Sequence, residues 1–168
     1  AVAAAAGSSL LVYPHSLSYF HELVGGPSRG HEHLLHTNID FGQDLLFLKQ
    51  WLDDHPNGPP LRLAYYGFID PRLAGIEFSP IPRQLAPEKL VAALPLALLD
   101  DAPQPGRYAA SINLIVGHQW EAHDGRGHRR WVRRGDLHYL LSFTPTSRAG
   151  HSILIYDLSL DDCNAYRR

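Results

Sequence analysis

The sequence predicts an α/β (or α+β) fold, a single small mixed sheet with packed helices, preceded by the end of a hydrophobic helix. Three observations carry that expectation. Segments with helical apolar spacing alternate with short aliphatic-aromatic runs bounded by turn residues. The chain has 168 residues, 45% of them hydrophobic, which suits one domain able to bury about two thirds of its surface. No internal repeat, heptad series or low-complexity linker divides it.

Composition narrows the function classes. Charged residues make up 19% and the formal net charge is −2, which excludes wholesale disorder and argues against nucleic acid as a partner. The single cysteine, Cys163, excludes an intramolecular disulfide and a multi-thiolate metal site. Methionine is absent, so Ala1 is not an untouched translation start; the chain reads as a processed product or a piece of something longer. Two of the 15 basic residues are lysines, Lys49 and Lys89, a bias that fits genomic base composition better than a specialised surface.

The elements follow in order. Ala1 to Tyr13 (AVAAAAGSSLLVY) is small and apolar, with no charge before His15 or Glu22. It is shorter than the roughly 18–20 apolar residues that span a bilayer. It reads either as a docked helix or signal-peptide remnant, or as the last turns of a transmembrane helix. Tyr13-Pro14 stops any helix, and Ser16 to Val24 forms a short one closed by Gly25-Gly26-Pro27. Phe41 to Asp54 is the strongest helix. It points Leu45, Leu46, Leu48, Trp51 and Leu52 inward, keeps Gln43, Asp44, Lys49, Asp53 and Asp54 outside, and takes Asn38 or Asp40 as its N-cap.

His55 to Pro60 ends that helix, and Leu61 to Phe68 reads as a strand. Ile69 to Arg72 turns, Leu73 to Phe78 forms a further short element, and six prolines break the middle third around a helical turn or two in Glu88 to Leu99. Gly106 to Gly117 is a central strand with Tyr108, Ala110, Ile112 and Leu114 on one face. His118 to Arg134 is polar and Arg-rich, hence a loop or excursion. Asp136 to Phe143 suits helix or strand, and Ser152 to Leu158 is a final buried strand.

Motifs that carry chemistry are few. Neither G-x-x-x-x-G-K-[ST] nor G-x-G-x-x-G nor G-x-S-x-G occurs, so phosphate-loop and nucleophile-elbow chemistry is unsupported. Among 11 histidines, His31, His33 and His36 crowd around Glu32. They are candidate metal ligands, although their spacing matches no recognised zinc signature and ordinary solvent-facing or hydrogen-bonded histidines explain them better. Arg126, Arg129, Arg130, Arg133 and Arg134 surround Trp131; guanidinium forks suit phosphate and tryptophan suits a membrane interface. The bland alternative is a solvated loop. Asn38-Ile39-Asp40-Phe41-Gly42-Gln43-Asp44 gathers hydrogen-bonding side chains before a helix, either to meet a sugar hydroxyl or cation or simply to cap the helix.

The order Y-P-H-S-L-S-Y-F-H-E-L-V-G-G-P (13–27), T-N-I-D-F-G-Q-D-L-L-F-L-K-Q-W-L (37–52), L-A-Y-Y-G (63–67) and D-P-R-L-A-G-I (70–76) resembles a known tail. It is similar to the C-terminal segment of bacterial, planctomycete-type polytopic glycosyltransferases related to dolichyl-phosphate-mannose protein mannosyltransferases. G-R-Y-A-A-S-I-N and G-H-S-I-L-I-Y-D-L extend the likeness over nearly the whole chain. Phe41 stands where that pattern has tryptophan, His21 where it has asparagine and Thr37 where it has serine. The D-aromatic-G core in Ile39 to Gly42 is also similar to the acceptor-reading motif of oligosaccharyltransferase soluble domains.

The resemblance implies that residues 1–12 end a transmembrane helix and that 13–168 form one soluble domain on the extracytoplasmic, periplasmic side of a membrane. The catalytic carboxylates of that family lie in loops this chain lacks, so no catalytic residue and no cofactor is expected here. The implied role is to position a lipid-linked sugar or glycan acceptor. Asn38, Asp40, Gln43, Asp44, Tyr65, Tyr66 and Asp70 would contact the ligand, and Arg129, Arg130 and Arg133 its phosphate. Two rivals stand beside it: a released assembly module that self-associates through its small-residue N-terminal helix, and a metal-dependent enzyme using the His31–His36 cluster.

Overall fold

The computed structural model describes residues 41–84 and 103–167, together with Gly7. Within them the expected α/β mixture is present: a five-stranded mixed sheet, a separate two-stranded sheet and three helices. The chain runs α1 (Leu45–Asp54), β1 (Leu61–Ala64), a 3-10 turn (Pro71–Ala74), β2 (Ser79–Pro80), β3 (Gly106–Ser111) and α2 (Ile112–Ile115). It continues through β4 (Trp120–His123), β5 (Arg129–Val132), a second 3-10 turn (His138–Ser142), β6 (Ser147–Ala149), β7 (Ile153–Leu158) and α3 (Leu160–Tyr166).

The main sheet has the order β2-β1-β3-β7-β6. β1 lies parallel to both β2 and β3, whereas β7 is antiparallel to β3 and β6. Pro80 sits in the two-residue edge strand, where a missing amide costs least. The central strands β3 and β7 are buried on both faces, so apolar residues run consecutively through their middles, Tyr108 to Ala110 and Ile153 to Tyr156. Alternate residues still choose sides. Leu61, Leu63, Tyr65, Ala109, Ile153 and Ile155 pack against Leu45 and Leu48 of α1. Tyr66, Tyr108, Ala110, Leu154 and Tyr156 face the other core, with Ala122, Val132, Leu137, Tyr139 and Cys163. Each fully buried aliphatic or aromatic side chain contributes about 1.5–3 kcal/mol.

Several expectations need correction. α1 starts at Leu45 rather than Phe41, because Gly42 holds φ at +91°, which no α-helix accepts. The N-cap is therefore Asp44, not Asn38 or Asp40, and its side chain makes no cap hydrogen bond. Nor does Asp44 face solvent: its exposure is 0%. Its carboxylate accepts from the amides of His151 and Ser152, both at 2.7 Å, and from the Ser152 hydroxyl at 2.8 Å. Leu46 points outward, while Leu45 and Leu48 supply the buried stripe.

The strand expected over Gly106 to Gly117 ends at Ser111, where Ile112–Ile115 coils into α2. Tyr108, Ala110, Ile112 and Leu114 nevertheless share one core. The Arg-rich stretch is not a loop. It is the β4–β5 hairpin, its tip closed by Asp124 accepting from the amides of Arg126 and His128. α3 was not expected; a reciprocal capping box between Ser159 and Asp162 starts it.

Among the described residues no helix is long and apolar enough to cross a membrane. The segment 1–12, apart from Gly7, lies outside the described residues.

Candidate functional site at the carboxyl ends of β1 and β3

Ligands of open α/β sheets bind beyond the carboxyl ends of parallel strands, and here those ends carry an unusual aromatic group. Its construction begins with Tyr65. The ring is clasped by two glycines: a Cβ on Gly42 would stand 2.3 Å from the Tyr65 hydroxyl, and one on Gly67 would stand 2.3 Å from the ring. The hydroxyl donates to the Gly42 carbonyl at 2.8 Å. Drawing Gly42 and Gly67 together places their neighbours, Phe41 and Phe68, edge to face with centroids 5.7 Å apart. Both rings remain largely open to solvent, 53% and 57% exposed, beside the equally exposed Ile69.

The β4–β5 hairpin underpins this shelf. Trp120 lies 5.0 Å from the Phe68 ring and 4.4 Å from the Tyr66 ring, and its indole N–H reaches the Gly67 carbonyl at 3.4 Å. Tyr66 also meets the His118 ring at 6.5 Å, and its amide donates to the Ser111 hydroxyl at 2.9 Å, tying β1 to β3. Arg129 donates to the Phe68 carbonyl at 3.2 Å, and the His123 ring lies 3.3 Å from the same oxygen. A Cβ on Gly125 would lie 2.1 Å from the Phe78 carbonyl, so only glycine lets the hairpin tip settle there.

Asp70 anchors the far side. It accepts from the Arg72 amide at 3.0 Å and from the guanidinium at 2.6 Å, with His123 Nδ1 3.7 Å away. The Arg72 guanidinium hydrogen bond holds the Asp70 carboxyl well below its usual range, at about 2.

The expected site residues thus meet different fates. Asn38 and Asp40, with His31, His33 and His36, lie outside the described residues. Among the described residues no group of three His, Cys, Asp or Glu is placed to hold a metal ion. Gln43 folds back so that its carbonyl accepts from the Phe41 amide at 2.7 Å, which steadies the shelf. Asp44, Tyr65 and Tyr66 are buried and serve as its foundations. Strand register splits the arginines. Arg130 turns inward to donate to the Ile81 carbonyl, Arg129 grips the Phe68 carbonyl, and Arg133 stays exposed.

Phe41, Phe68, Trp120 and His118 were not among the expected contacts, and Arg134 entered only as one member of the basic run. The mirrored pairs Phe41-Gly42 and Gly67-Phe68 were the available signal.

Fold and site together define a mixed α/β domain that presents an exposed aromatic shelf. No protein family model, no curated protein and no solved structure matches this chain.

Proposed function

We propose that this chain is a non-catalytic domain that positions a lipid-linked sugar or glycan acceptor at the extracytoplasmic face of a membrane. The observation that carries this reading is the Phe41–Phe68 shelf. Exposed aromatic faces cost free energy in water unless they meet a partner, and contiguous apolar patches rimmed by polar groups mark interaction surfaces. The arginines of the neighbouring hairpin suit the anionic linkage of such a ligand. The tyrosine–glycine clasp and Trp120 pre-organise the shelf, which lowers the ordering cost of binding.

The test is co-sedimentation with phosphatidylcholine vesicles that carry a polyprenyl-phosphate-linked sugar. The full chain is expected to sediment with them, and Phe41→Ser/Phe68→Ser to remain in solution while keeping its circular dichroism. Equal sedimentation of both proteins would overturn the reading. The same exposed rings would also serve a self-associating module, the rival from another class. Analytical ultracentrifugation without vesicles distinguishes it, because self-association, through these rings or through the small-residue N-terminal segment, requires a concentration-dependent mass.

A further inference from the structure

The residues just before β4 bound a second opening. Val116, Gly117, His118, Gln119 and Arg134 line a surface cleft of about 400 Å³. Gly117 holds φ at +104°, and the point its Cβ would occupy lies 3.0 Å from His138 Nε2 and 3.2 Å from Arg134 Cγ. One backbone position thus has an arginine and a histidine leaning over it, with His118 adjacent in sequence. Neither the Arg134 guanidinium nor the His138 ring makes a hydrogen bond or ion pair with another described residue. Nearby Asp136 is engaged: it accepts from the Arg133 amide at 2.9 Å and lies 3.8 Å from the Arg83 guanidinium. The carbonyls at the end of α2 are engaged too, Leu114 by the Gly117 amide and Asn113 by the His118 amide.

We propose that this cleft is a binding site for a phosphate-type dianion, held by Arg134 with His118 and His138 beside it. The guanidinium fork matches two phosphate oxygens, and the His138 imidazole adds a ring N–H donor. Its place in the molecule adds weight. His118 meets Tyr66, Tyr66 meets Trp120, and Trp120 meets Phe68, so one continuous aromatic path runs from the cleft to the shelf. A ligand with a phosphate at one end and an apolar or sugar portion at the other would span both. For a lipid-borne phosphate the inference rests on the positioning role proposed above; for a soluble phosphate it stands without it.

The experiment uses the full chain in two arms. Isothermal titration with inorganic phosphate probes the soluble source. Co-sedimentation with phosphatidylcholine vesicles, with and without a polyprenyl monophosphate, probes the lipid source. Arg134→Gln is expected to weaken binding by about tenfold or more, the loss typical of one charge-assisted contact. Lys49→Gln, at the opposite end of the strands, removes the same charge and is expected to leave binding unchanged. Arg134 is exposed, so thermal unfolding of its variant should match the parent. Saturable, Arg134-dependent binding in the titration arm assigns a soluble phosphate, and in the doped vesicles alone a lipid phosphate. Binding in neither arm, or equal weakening by Arg134→Gln and Lys49→Gln, would overturn the site. If the cleft fails while sedimentation still depends on Phe41 and Phe68, only this inference falls.

Discussion

Asp70 receives Arg72 twice, through the backbone amide and through the guanidinium, and that double hold lowers its carboxyl to about 2. A depressed carboxylate stabilises the fold above its unfolded value of about 4, and the contribution fades as pH falls through the folded value. Asp70→Asn should therefore lower the thermal midpoint at neutral pH and match the parent near pH 2, as scanning calorimetry at both pH values would record. Asp44 plays a larger structural part. Buried entirely, it satisfies two amides and a hydroxyl of the turn before β7. Asp44→Ala leaves those donors without it and should cost about 3 kcal/mol or more in urea unfolding. Sequence reading put Asp44 on an outer helical face. Its partners lie 107 and 108 positions away, beyond the reach of any local pattern.

At the scale of elements, the clasp and the hairpin shape the shelf together. A Cβ at Gly67 would meet the Tyr65 ring, so Gly67→Ala must push that ring away from Gly42. The expected result is a loss of about 2 kcal/mol, of the kind seen on overpacking a core, and separation of Phe41 from Phe68. Loss of the cross-peaks between the two rings in nuclear Overhauser spectra would record it.

The hairpin also shows what the sequence revealed and what it hid. Asp124-Gly125 between Trp120–His123 and Arg129–Val132 is a strong hairpin signal. The density of arginine and histidine around it points instead to a loop, so composition and turn chemistry conflict over this stretch. Ser159 with Asp162 was likewise a readable helix start. By contrast, β3 and β7 were legible at once, since burial on both faces leaves short apolar runs, Tyr108-Ala109-Ala110 in one and Ile153 to Tyr156 in the other. The shelf was half legible: Tyr65, Tyr66 and Asp70 were singled out, but as contacts rather than as the framework that aims Phe41 and Phe68.

Taken as a whole molecule, the described fold separates support from presentation. α1 and the buried tyrosines fill the two faces of the sheet, while the carboxyl ends of β1 and β3 carry the aromatic shelf and the Arg134 cleft. At the opposite end of the same strands, a smaller cleft of about 240 Å³ lies beside Lys49, His55 and Arg107. Arg107 is committed there, bridging to Asp157 at 2.8 Å and stacking over Trp51. Binding is therefore expected at one end only. The most direct measurement is amide chemical-shift mapping of the labelled chain against a polyprenyl-phosphate-linked sugar in neutral micelles, with empty micelles as reference. The account predicts ligand-dependent shifts at Phe41 and Gly42, at Gly67 to Asp70 and at His118 to Trp120. Shifts centred on Lys49, His55 and Arg107, or none beyond those caused by empty micelles, would contradict it.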